Sequence, residues 1–136
     1  MLVFFVIIRH MKTILVDAVN TFVLGGVVDG KMYELLEGFP NRKIILTNAN
    51  DSQMVEFGLT NLPYELFTLK HEPDKTNPDY FRRMLDYFSL SPEEVVYFEH
   101  NLDAISSAKS VGINAHHYDK DKKDFASLKG FLLESL

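Results

Sequence analysis

Short apolar runs alternate with longer amphipathic stretches along this chain. The runs are TILVDA (13–18), KIILTN (43–48), YELFTL (64–69), VVYFEH (95–100) and INAHHY (113–118). Three of them are strongly β-branched or aromatic, the composition expected of strands buried on both faces. Between them the apolar positions recur at helical spacing. DGKMYELLEGF offers Asp29 as an N-cap and sets Met32, Leu35 and Leu36 on one face. DSQMVEFGL reads as a helix capped by Asp51 or Ser52. NPDYFRRMLDYFSL places Pro78 in the first turn and aligns Phe81, Leu85 and Phe88. SPEE (91–94) is a capping box that opens a single turn before the next strand. NLDAISSAKSVG carries Leu102, Ile105 and Ala108 on one face and ends at Gly112, and KKDFASLKGFLLESL closes the chain.

Strands and helices in strict alternation predict an α/β fold: a three-layer, Rossmann-like parallel sheet of about five strands with helices on both faces. Such sheets bind ligands at the carboxyl ends of their strands. That rule selects Asp17–Thr21, Thr47–Asn50, the loop after Leu69, Glu99–Asp103 and His116–Asp119. There is no internal repeat, low-complexity segment or linker, so 1–136 reads as a single domain with its core in 12–136.

Composition narrows the function classes. Of the 136 residues, 46% are hydrophobic and 24% charged, as in ordinary globular domains, and the net charge is −5. A net acidic chain argues against non-specific nucleic-acid binding. The absence of cysteine removes disulfides, thiolate catalysis and Cys-based zinc sites, and fits a reducing, cytoplasmic setting. The run LVFFVII (2–8) is too short for the roughly 20 residues that span a bilayer, and Arg9, His10 and Lys12 follow it rather than precede it. It reads as an extra strand, or as a product of a start codon placed ahead of Met11. An apolar, β-branched edge could also pair with a second copy as a homodimer.

The strand ends supply the candidate chemistry. A carboxylate at Asp17 can act as a nucleophile or hold a metal, or it can cap the turn that follows. Thr47 and Asn48 could hydrogen-bond an anion, or the segment could simply cap the next helix through Asn50, Asp51 or Ser52. Lys75 could neutralise a phosphate or a carboxylate, or be a solvated surface lysine. Glu99, His100, Asn101 and Asp103 cluster after a very apolar run. His116 and His117 are adjacent strand residues pointing to opposite faces, so one is expected partly buried and the other exposed.

Taken in order, VDAVNTF (16–22), ILTNAN (45–50) and the long stretch KTNPDYFRRMLDYFSLSPEEVVYFEHNLDAISSAKSVGINAHHY (75–118) resemble the haloacid dehalogenase-like hydrolase superfamily over nearly all of 12–136. The resemblance implies Asp17 as nucleophile, Thr47 as phosphoryl ligand and Lys75 as charge clamp. It sets Asn48, Asn20 and Asn101 near the substrate. It implies an Mg²⁺ ion held by Asp17, the backbone carbonyl of Val19 and the residue at position 100. A receiver-type phosphoacceptor domain shares some of this logic, but KxxPxxF ahead of the acidic loop matches the hydrolases better.

Two positions depart from the family's pattern. The general acid, an Asp two residues after the nucleophile, is Val19. Aligning on Lys109 and Gly112 sets His100 at the metal-binding Asp, and strand alternation keeps Glu99 from being an automatic replacement. A phosphomonoester hydrolase scaffold with weak or absent activity follows. Its ligand would be a small phosphorylated molecule or a protein partner, bound without nucleic acid or membrane. One alternative is a non-catalytic protein that binds an anion or a partner. Another is a metal-free dehalogenase-like hydrolase, since DAVNT and Asn101 partly resemble that branch. The stretches between Thr21 and Thr47 and between Thr47 and Lys75 are too short for a cap domain.

Overall fold

Five parallel strands form the central sheet of the computed structural model, which describes residues 11–136. They are β1 (Thr13–Asp17), β4 (Lys43–Thr47), β5 (Glu65–Thr68), β6 (Val95–Glu99) and β7 (Asn114–His117), in spatial order β5-β4-β1-β6-β7. The order reverses at β1, which lies between β4 and β6. A crevice therefore opens at the carboxyl ends of β1 and β6. The expectations about residues 1–10 lie outside the described residues.

The pleat divides the core into two layers. Ile14 and Val16 of β1, Ile45 of β4 and Val96 and Phe98 of β6 face one side. There they meet Met32 and Leu36 of α1 (Gly30–Glu37) and Leu128 and Leu132 of α5 (Phe125–Ser135). Leu15, Ile44, Leu46, Val95 and Tyr97 face the other side. Their partners are Tyr80, Phe81, Met84 and Leu85 of α3 (Pro78–Phe88) and Ile105 and Ala108 of α4 (Leu102–Ser110). Because side chains alternate with period two, Asp17 shares a side with Leu15, and Glu99 shares one with Tyr97. Both carboxylates are thereby turned toward the α3 layer before any site is considered.

Several local readings change. Of the candidate caps Asn50, Asp51 and Ser52, the helix α2 (Asp51–Glu56) uses Asn50. The Asn50 side chain accepts from Gln53 N, and the Gln53 side chain accepts from Asn50 N, a full capping box. Leu102 is 61% exposed rather than part of the inner face of α4, because capping by Asn101 sets the helix phase so that Ala104, Ile105 and Ala108 point inward. After β1 the chain curls through residues 18–23 and forms a two-stranded hairpin, β2 (Val23–Leu24) with β3 (Val27–Val28), joined by Gly25 and Gly26 at positive φ. The hairpin packs backbone to backbone against Gly58, where any Cβ would stand 2.3 Å from the Gly26 carbonyl oxygen. These elements and α1 fill the stretch between β1 and β4, and no cap domain interrupts it.

Candidate active site

Lys75 is the hub of the crevice. It enters from the loop between β5 and α3, and its backbone N–H donates to Asn48 Oδ1 at 2.7 Å. Its ammonium group, buried and 7% exposed, donates to Asp17 Oδ1 at 2.8 Å, Glu99 Oε1 at 2.9 Å and the Leu46 carbonyl at 3.0 Å. All three donors are committed. Asp17 is 2% exposed. Its other oxygen, Oδ2, accepts from Thr21 Oγ1 at 2.7 Å and from His100 Nδ1. Glu99 Oε1 also accepts from the Tyr97 hydroxyl, and Oε2 accepts from the backbone N–H groups of His100 at 2.9 Å and Asn101 at 3.1 Å. The His100 ring nitrogen Nδ1 lies 3.2 Å from that same Oε2. Among the described residues no buried side-chain polar atom lacks a partner.

The electrostatics follow from this closure. Burial alone would raise the Asp17 pKa, but the Lys75 charge and the His100 hydrogen bond reverse it, so Asp17 stays ionised well below the usual carboxylate range. Burial alone would lower Lys75, and the charges of Asp17 and Glu99 instead hold it above its ordinary value. The hydrogen bond to Asp17, joined by one to Glu99, lifts His100 to about 9, so its imidazole carries a proton on both nitrogens near neutrality. Burial, then the charge of Glu99, pushes the Tyr97 phenol well up. Two carboxylates face two cations in a buried, mutually neutralised group.

The sequence-selected residues divide into three sets. Lys75 and His100 each bond to Asp17, on different carboxylate oxygens. Thr47 and Asn48 line the neighbouring strand end in supporting contacts: Thr47 Oγ1 accepts from Ala49 N at 3.2 Å, the Thr47 carbonyl accepts from Tyr80 Oη at 2.9 Å, and Asn48 holds the Lys75 backbone. The remaining residues make separate contacts. The Asn101 side chain caps α4 through Asp103 N and Ala104 N. Exposed Asn20 turns the chain at φ 68°. Val19 packs half-buried against the core. His116 stacks on Phe131 at 4.9 Å and His117 is exposed, the split the alternation predicts.

Thr21 and the engagement of Glu99 are additions. Strand alternation set Glu99 and His100 on opposite sides, yet both reach Asp17's neighbourhood, because His100 lies past the end of β6 where the pleat no longer governs direction. The Thr21 signal was its four-residue spacing from Asp17 in a tight turn. The Glu99 signal was its two-residue spacing from inward-facing Tyr97.

No family model matches the sequence, and no curated protein matches it either. Solved structures do. A HAD-family enzyme from Bacteroides thetaiotaomicron, crystallised as an aspartate-to-alanine variant with magnesium and inorganic phosphate, is 12% identical with a TM-score of 0.60, covering 79% of this chain and 93% of its own. A subfamily IA HAD-superfamily hydrolase from Geobacter sulfurreducens is 10% identical, also at 0.60, covering 79% and 89%. The chain has the haloacid dehalogenase-like fold. A haloacid dehalogenase-like protein of unknown function from Agrobacterium tumefaciens is 18% identical at 0.56 and covers 78% of this chain and 61% of its own.

The Bacteroides enzyme was crystallised with magnesium, and in this chain Asp17, Glu99 and His100 could bring three donor atoms within 4.8 Å of one another. As folded, this set does not fit Mg²⁺. The ion demands a near-octahedral shell of oxygens at roughly 2.0–2.1 Å. Here one donor is a nitrogen, and all four carboxylate oxygens already accept hydrogen bonds from fixed groups. Among the described residues no helix is long and apolar enough to cross a membrane.

Proposed function

We propose that this haloacid dehalogenase-like protein keeps the plan of a phosphomonoester hydrolase while its Mg²⁺-dependent turnover is weak or absent. The observation that carries this reading is the imidazole of His100 seated on Asp17 Oδ2, at the position where the family sets a metal-binding carboxylate. A protonated ring there repels a divalent cation and occupies the oxygen through which Asp17 would bind it. Val19 adds a second loss. It has no proton to give a leaving group, a deficit that costs about 10²–10⁴ in rate for general acid–base catalysis. What the centre retains is a buried, oriented ion pair at the mouth of a crevice, suited to holding a ligand. The magnesium and phosphate found with the Bacteroides enzyme make a small phosphorylated molecule, or a protein partner bearing a phosphate, the ligand class expected here.

The test is hydrolysis of an aryl phosphate with Mg²⁺ by the wild-type chain and by Asp17→Asn. We expect wild-type turnover no higher than that of the variant. The double substitution Val19→Asp/His100→Asp should raise it and make it depend on Mg²⁺. Robust wild-type turnover that needs both Mg²⁺ and Asp17 would overturn the reading.

A further inference from the structure

Between α1 and α5, on the side of the sheet opposite α3, the surface sinks into two adjoining hollows of about 510 and 430 Å³. They share Phe39 and Leu133, so together they form one groove along α5. Leu35 and Phe125 line one end, and Leu132 and Leu136 line the other. We propose that the apolar run LVFFVII, residues 2–8 of this same chain, fills the groove. The proposal is independent of the chemistry at Asp17.

The place where the chain enters the fold carries it. Met11 and Lys12 line the groove at its Leu136 end. Lys12 is held there, because the buried Asn41 side chain donates to its carbonyl oxygen at 2.8 Å, and Thr13 then begins β1. Only Arg9 and His10 lie between Met11 and the run. Docking is therefore intramolecular, which favours it over the same contact made by another molecule. Length is sufficient. From Phe125 to Leu136, at about 1.5 Å per residue, the groove wall is roughly 16 Å long. Seven residues reach at most about 23–25 Å, enough to follow all of it.

The chemistry of the groove suits this occupant. Leu133 stands 63% exposed on α5, above the buried Leu132. At the rim Lys31 and Lys129 lie beside Glu34, so charges of both signs meet there and no single-sign field selects a charged ligand. The run 2–8 carries no charge. Seven consecutive apolar side chains gain by leaving water, and the apolar surface open to them within reach of Met11 is this groove. A second copy offers the same run, but without the tether.

The chain has no cysteine, so a pair can be installed without background. In the full chain, Leu133→Cys is combined in turn with Val3→Cys, Phe4→Cys, Phe5→Cys, Val6→Cys and Ile7→Cys, and each pair is oxidised in dilute solution. We expect at least one pair to form a disulfide within one chain, about tenfold more than the same cysteine forms with Leu102→Cys on α4, since bridging needs Cα atoms within roughly 7 Å. Disulfides that join two chains, or yields no higher than with Leu102→Cys, would overturn the proposal. If the cysteine variants do not fold, nuclear Overhauser contacts in the wild-type chain decide it. They should join Phe4 or Phe5 to Phe39 or Leu133, and their absence contradicts the assignment.

Discussion

Lys75→Met should lower stability by about 3–5 kcal/mol, the usual cost of removing one partner from a buried ion pair. For a chain of this length that corresponds to a fall in Tm of roughly 10–18 °C. The reason is the geometry of the hub. Lys75 is shared by Asp17 and Glu99 at 2.8 and 2.9 Å, and both acids are almost wholly buried. Methionine fills a similar volume, so lost packing is a small part of the effect. What remains is two buried carboxylates with only His100 between them. Adding Glu99→Gln to Lys75→Met removes one of the stranded charges and should recover at least half of the loss. Urea denaturation of the two variants against wild type checks this. A loss below about 1 kcal/mol for Lys75→Met would mean that the carboxylates relax into solvent or take up protons cheaply.

The second large effect is a loss of stability in mild alkali. His100 is raised to about 9 in the folded chain by its hydrogen bond to Asp17, with Glu99 adding to it, against about 6.5 when unfolded. A group raised on folding contributes stability that is fully present below its unfolded pKa and lost as pH climbs through the folded one. The window is therefore about pH 6.5 to 9. Allowing for screening at a side chain 21% exposed, the loss is on the order of 2 kcal/mol. The groups facing the ring are Asp17, Glu99, Thr21 and, through the His100 carbonyl, His117. Asp17 works in the opposite direction, because its folded pKa is depressed. Its contribution is present above about pH 4 and disappears in acid. Stability should be greatest between these limits. The discriminating readout is the difference between wild type and His100→Asn across pH 6.5 to 9, which cancels other titrating groups. A wild-type profile parallel to that of the variant would contradict the pairing.

Much of the architecture can be read from pattern alone. All five central strands coincide with the selected runs to within a residue or so, and the three buried along their whole length, β1, β4 and β6, are the almost continuously apolar ones. The hairpin at Val23–Val28 is harder to read. Each of its strands has two residues, too few for any period to show, although Gly25-Gly26 marks the turn. The Asn50 cap was legible as an Asn followed three residues later by Gln53, a polar form of the capping box hidden beside the more obvious Asp51 and Ser52. At the crevice, Asp17 and Lys75 stood out because the ordered motifs carried them. The part played by Glu99 did not. Period-two reasoning is sound within β6 but fails one residue beyond it, and the useful fact, that Glu99 and His100 converge, belongs to the loop rather than the strand.

We propose that His100, rather than a metal, closes the carboxylates of this crevice. Calorimetric titration of Mg²⁺ with beryllofluoride, a phosphoryl mimic, tests it most directly. No saturable Mg²⁺-dependent heat is expected in the wild-type chain, and a clear one in Val19→Asp/His100→Asp. Stoichiometric Mg²⁺–beryllofluoride binding by the wild type, abolished by Asp17→Asn, would contradict it.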